Sequence, residues 1–95
     1  MVIIKWTEQS IVDIQNIAEF ISKDSPKYAR IQVNDFFNRA KILEAFPNSG
    51  RIVPEAGNRK VRELIVGAYR IIYYIVSENR IDILSVHHSY KLLKF

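Results

Sequence analysis

The sequence predicts an α+β fold in the order β-α-α-β-β-β, with a helical hairpin packed on one face of a small antiparallel sheet. Three observations carry that prediction. A short β-branched and aromatic run, Val2 to Trp6, opens the chain. Two stretches with apolar residues every three to four positions follow, separated only by Lys23-Asp24. Three apolar runs with short turns between them come last, from Val61 to His88. The 95 residues suffice for one compact domain, spanning 1–95, and not for two.

Val2-Ile3-Ile4-Lys5-Trp6 reads as the first strand, and Thr7 can cap the helix behind it. From Glu8 to Ser22, Ile11, Ile14, Ile17/Ala18 and Ile21 form one apolar stripe. Glu8, Asp13 and Glu19 make the other face acidic. Ser25-Pro26 starts the second helix, with serine at N-cap and proline at N1. Its buried stripe is Ala29, Val33, Phe36, Ala40 and Leu43, flanked by Tyr28 and Phe37. Pro47 and Gly50 end it.

Asn48 to Lys60 reads as loop, broken by Gly50, Pro54, Gly57 and Asn58. Val61–Val66, Tyr69–Val76 and Ile81 to about His88 are the remaining strands. Gly67-Ala68 and Ser77-Glu78-Asn79-Arg80 turn the chain between them, so they form an antiparallel meander.

Composition narrows the class. Hydrophobic residues are 48% and charged residues 25%, an ordinary globular balance. Cysteine is absent, which removes disulfides and Cys-based zinc sites. With two histidines and no Gly-rich phosphate loop or nucleophile elbow, neither a metal nor a cofactor is expected. The longest apolar runs are too short to span a membrane, and the opening run breaks at Thr7-Glu8-Gln9-Ser10, unlike a signal peptide. A cytoplasmic protein is the expectation.

The net charge is +4 and unevenly placed. Residues 1–25 hold two lysines against four acids, whereas residues 26–95 hold twelve basic and six acidic side chains. Arg59-Lys60-Val61-Arg62 is the densest run, with Arg51 and Arg70 in the same region. Such a patch attracts a polyanion or an acidic partner; singly, its charges also fit a solvated surface.

On the middle strand, Tyr69, Ile71, Tyr73 and Ile75 share one face, and Arg70, Ile72, Tyr74 and Val76 the other. Both rows are mostly apolar. One takes the helices; the other is covered by the loop and tail, or is open to a partner. Arg70 stands in an apolar row and needs an acid or a phosphate beside it. Glu63 on the neighbouring strand is one candidate, and an external anion is the other. A cationic surface centred near Arg70 is the expectation. His87 and His88 point to opposite faces, so one at most joins a given site; it could act there as a general acid or base, or be locally hydrogen-bonded.

These pieces resemble the RelE/ParE superfamily of type II toxin–antitoxin toxins over nearly the whole chain. They are the strand ending in Trp6, the helix with Ile14 and Ile17, and Ser25-Pro26 with Ala29. Pro47-Asn48-Ser49-Gly50-Arg51, Val53-Pro54-Glu55 and Arg62-Glu63-Leu64 follow. Tyr69-Arg70-Ile71-Ile72-Tyr73 and Ile83-Leu84-Ser85-Val86-His87-His88 complete the series. The resemblance implies the same β-α-α-β-β-β fold, growth inhibition, plasmid stabilisation, and neutralisation by a cognate antitoxin in a hetero-oligomer. It also implies one of two targets. RelE-like relatives cut mRNA on the ribosome without a metal, and ParE-like relatives poison DNA gyrase without cutting RNA.

In the nuclease reading, Arg70 matches the arginine that contacts the scissile phosphate, and Lys60 and Arg62 fall near a basic pair. His87 or His88 would stand in for an arginine that is missing from His88-Ser89-Tyr90-Lys91-Leu92-Leu93, where Tyr90 loosely matches a family tyrosine. That gap, with the Pro-Asn-Ser-Gly-Arg and Val-His-His pieces, resembles the ParE side. There Arg51, Arg59, Lys60, Arg62 and Arg70 are the expected target-binding patch. A module that only binds antitoxin is a further alternative. Leu92, Leu93 and Phe95 are candidate antitoxin contacts; Leu92 and Phe95 could instead close the core.

Overall fold

The computed structural model describes residues 1–94. Its elements are β1 (Ile3–Trp6), α1 (Glu8–Ser22), α2 (Pro26–Lys41), β2 (Arg51–Ile52), β3 (Val61–Val66), β4 (Tyr69–Ser77) and β5 (Arg80–His88), with 3₁₀ turns at Ile42–Glu44 and Pro54–Ala56. They form one sheet in the order β1-β5-β4-β3-β2.

The helices start where their caps place them. The Thr7 side chain accepts the Ser10 N–H, and its hydroxyl donates to the Ile83 carbonyl at 2.7 Å. One residue thus caps α1 and ties it to β5. Ser25 accepts the Tyr28 N–H, and Pro26 opens α2 with φ already helical. The apolar stripes turn inward: Ile14, Phe36, Ala40 and Leu43 are buried against Leu64, Ile71, Tyr73, Ile81 and Ile83.

Two glycines are required by geometry. Gly67 adopts φ +61°, which the two-residue turn between β3 and β4 demands. At Gly50 a Cβ would lie 2.6 Å from both the Glu63 carbonyl oxygen and the Tyr73 ring. Tyr73 is fully buried there; its hydroxyl accepts the Gly50 N–H and donates to the Pro47 carbonyl.

The sheet corrects the expectation in two respects. It is mixed rather than antiparallel, because β1 runs parallel to β5. The helical hairpin follows β1 directly, so no tight turn forces β1 antiparallel to a neighbour. A fifth strand, Arg51–Ile52, lies inside the expected loop and pairs with Glu63 and Arg62. Two residues between breakers carry too little periodicity to read as a strand.

Both faces of β4 are covered. The helices take one. On the other, Val53, Val61 and Ile72 form a small cluster with Ala56, Tyr74, Leu84 and Leu93 packed against it. The loop and the tail therefore close the outer face. Leu84 reaches this cluster where the β4–β5 register shifts between Ile72 and Tyr73.

Candidate functional site

Register places the predicted site residues. Arg62 lies opposite Tyr73 and shares the helix-side face, whereas Arg70 lies opposite Ile65 and His87 on the outer face. The two arginines stand on opposite sides of the sheet.

Arg70 is 4% exposed and surrounded by acceptors. Its Nη1 donates to Glu63 Oε2 at 2.8 Å. Its Nη2 donates to Glu55 Oε2 at 2.6 Å and to the Lys91 carbonyl at 2.7 Å. Glu63 is buried, and its other oxygen accepts from Arg51 Nε at 2.6 Å. Glu55, on the Pro54–Ala56 turn, also accepts the Leu93 N–H. Two arginines and two glutamates thus form one neutral network. The hydrogen bond from Arg70 holds the Glu55 carboxyl down at about 2. Glu55, and then Glu63, raise the Arg70 pKa against the opposing effect of burial.

This corrects the expected surface centred near Arg70. A charge on an apolar sheet row is held where partners neutralise it, and here the partners are internal carboxylates. Arg51 keeps an exposed stem, but its Nε is committed to Glu63. Arg59, Lys60 and Arg62 form no ion pair among the described residues. Arg62 Nη1 donates to the Gly50 and Asn48 carbonyls, and Lys60 Nζ lies 6.0 Å from the centroid of the Tyr74 ring. Of the five expected patch residues, Arg59 and Lys60 are the exposed ones that form no ion pair among the described residues.

His87 is half-buried, and burial pushes its pKa below the usual histidine value. Lys91 and Arg70 push the same way, while Asp13 opposes them. His88 is exposed. Its ring stands edge-on to Tyr69 at 5.7 Å and lies 5.2 Å from Tyr90. Both histidines border one cleft of about 370 Å³ between α1 and the end of β5. This corrects the expectation that at most one would join a given site. β1 pairs with β5 only as far as Ile83, so at the strand's open edge side chains from both faces reach the cleft. Asp13, Phe20 and Lys91 also line it. The α1 residues were not foreseen as neighbours of the histidines, because only the packing of α1 on β5 unites them. Asp13 Oδ2 accepts the Val86 N–H there and ties the helix to β5. No group of three His, Asp or Glu residues with the spacing of a metal site occurs among the described residues.

In the tail, Leu92 is 78% exposed and does not close the core, contrary to one expectation. Leu93 is the residue that packs inward. Extended backbone sends adjacent side chains opposite ways, and the Leu93 N–H bond to Glu55 selects which one turns in. Phe95 lies outside the described residues. Among those residues, no helix is long and apolar enough to cross a membrane.

Comparison with known proteins is consistent across sequence and structure. A curated relative, Toxin RelE2 of Caulobacter vibrioides, is 26% identical over 87 residues, covering 92% of this chain and 94% of its own. A solved chain of the chromosomal ParDE TA system from P. aeruginosa has the same fold: TM-score 0.75, 24% identity, 93% of this chain and 96% of that one. The family profile described as "ParE toxin of type II toxin-antitoxin system, parDE" matches residues 4–92. With strand order, helical hairpin and nearly full-length match in agreement, the chain belongs to the ParE toxins of type II toxin–antitoxin systems, within the RelE/ParE superfamily.

Proposed function

We propose that this toxin inhibits growth as a ParE-like poison of DNA gyrase, acts in the cytoplasm, and is neutralised there by a cognate antitoxin. The state of Arg70 is the observation that supports this target over RNA. A scissile phosphate would have to displace two carboxylates from a guanidinium that is already sealed. It would also meet Arg62 only on the far side of the sheet. A toxin that works by binding a surface needs no such assembly. Arg59 and Lys60, both exposed, offer cationic groups to an acidic target.

The ParDE description of the matched family and of the solved relative supports an antitoxin partner. We assign the exposed Leu92 to its contact. Purified toxin is expected to block supercoiling by gyrase and to raise the amount of cleaved DNA complex. Unchanged supercoiling at saturating toxin would remove this reading.

A second reading, ribosome-dependent mRNA cleavage, draws on the cleft. His87 is half-buried with a lowered pKa, hence neutral at pH 7 and able to accept a proton, and it borders the cleft with His88 and Lys91. It predicts A-site cuts in a translation extract that disappear in His87→Ala; intact mRNA rejects it. Harmless expression of the folded protein without antitoxin would leave an antitoxin-binding module alone.

A further inference from the structure

We propose that Arg70 and Glu55 form a buckle that fastens residues 91–93 as a strap across the outer face of the sheet, and that the strap opens as a unit while the sheet stays folded. The strap belongs to no helix or strand. Apart from a local turn bond from the Lys91 N–H to the His88 carbonyl at 3.0 Å, its hydrogen bonds converge on one point. Arg70 Nη2 donates to the Lys91 carbonyl, and the Leu93 N–H donates to Glu55 Oε2 at 3.2 Å. The same two atoms, Arg70 Nη2 and Glu55 Oε2, bond to each other at 2.6 Å. Both ties therefore depend on a single ion pair. Leu93 adds one apolar anchor on the outer cluster.

Residues just before the strap are held differently. The Ser89 N–H donates to the Ala68 carbonyl at 2.8 Å, which keeps that residue on the β3–β4 turn. Tyr90, 90% exposed, is tied to the end of β5 by its N–H bond to His88 Nδ1 at 3.3 Å, while Leu92 is 78% exposed. The joint lies between Ser89 and Lys91. When the strap leaves, Arg70 keeps its second partner, since Nη1 remains on buried Glu63. Glu63 in turn stays bonded to Arg51. The buried charge does not become unpaired, so opening carries no penalty of a stranded ion. Segments with few buried apolar contacts open at free energies well below global unfolding. Arg70 and Glu55 are thus positioning residues: they hold Leu93 inward and so fix where Tyr90 and Leu92 stand outside.

Amide hydrogen exchange on the full chain tests this residue by residue. In the unaltered protein, exchange at Leu93 is expected to be nearly independent of low urea, while exchange at Ile72 in β4 rises steeply with it. Glu55→Gln keeps the side-chain size and leaves the Arg70–Glu63 pair in place. It should speed exchange at Leu93 about tenfold or more through loss of the charge-assisted bond, and leave β3, β4 and β5 amides unchanged. The same urea slope at Leu93 and Ile72 would overturn the separate strap. Unchanged Leu93 exchange in Glu55→Gln would overturn the buckle. The urea comparison needs no variant, so a poorly folded substitution does not protect the proposal.

Discussion

On the helix side of β4, Tyr69, Ile71, Tyr73 and Ile75 meet two helices totalling eight turns or so of chain. On the outer side, Arg70, Ile72, Tyr74 and Val76 belong to a face covered by one 3₁₀ turn and a tail without regular structure. The inner cover is thick and apolar. The outer cover is thin, and a four-residue charge network supplements its small apolar cluster. The difference teaches how one strand can be buried on both faces in a 95-residue chain that has helices for only one. Ion pairs attach a short segment that could not bury enough apolar area to hold itself.

The comparison is tested most severely inside. Phe36 is fully buried and meets Tyr69 edge-on at 5.6 Å. Phe36→Ala is expected to cost about 3–5 kcal/mol, through lost transfer energy and the cavity left behind. Urea denaturation measures it, and a loss below about 1 kcal/mol would mean that the inner face is not the main core.

On the outer side the expected loss comes from unpairing, not from volume. Arg70→Met strands Glu63 with Arg51 alone and should cost about 3–5 kcal/mol in the same assay. Adding Glu63→Leu to that variant should restore part of the loss, since the uncompensated buried carboxylate is then gone. A double variant less stable than Arg70→Met would show that the network acts by shape and not by charge.

The smallest effect is a pH dependence at the edge of both regions. His87 has a folded pKa below its unfolded value, so the unfolded chain binds the proton more readily. Stability should therefore fall as pH drops below about 6.5, the ordinary histidine value, toward the lower folded one. Glu55 behaves oppositely in range. Its pKa is about 2, so its contribution, present above the unfolded carboxylate value, is lost only as pH falls toward about 2. Urea midpoints at pH 8 and pH 5.5 isolate the histidine effect, which His87→Gln should flatten. A midpoint that does not move between those pH values would contradict the burial assigned to His87.

Much of the fold was legible because its signals are local. Thr7 and Ser25 cap helices through their own backbone neighbours, and the stripe Ala29, Phe36, Ala40, Leu43 has the period of one helix face. Gly67 marks its turn by the one conformation it favours. The candidate site was less legible. Glu63 could be named as a partner of Arg70, because β3 and β4 are joined by a two-residue turn that sets their register. Glu55 and the Lys91 carbonyl could not be, since a loop and a tail carry no periodicity to show where they fold back. The cleft at His87 escaped for a related reason: Asp13 and Phe20 come from α1, more than sixty residues away in sequence.

By itself, then, the chain's order of residues decided the two helices, the first strand and the three-strand meander, and that both rows of β4 are mostly apolar, because period, caps and turn chemistry act over a few neighbours. The short strand Arg51–Ile52 and the cover on the outer face came only with the fold. The tertiary structure alone decided that β1 runs parallel to β5, that Arg70 is neutralised instead of displayed, and that Leu93 faces in while Leu92 faces out. Those outcomes depend on which distant groups arrive within hydrogen-bond range, and Coulomb attraction and hydrogen bonding discriminate only once packing has brought the partners to within a few ångströms.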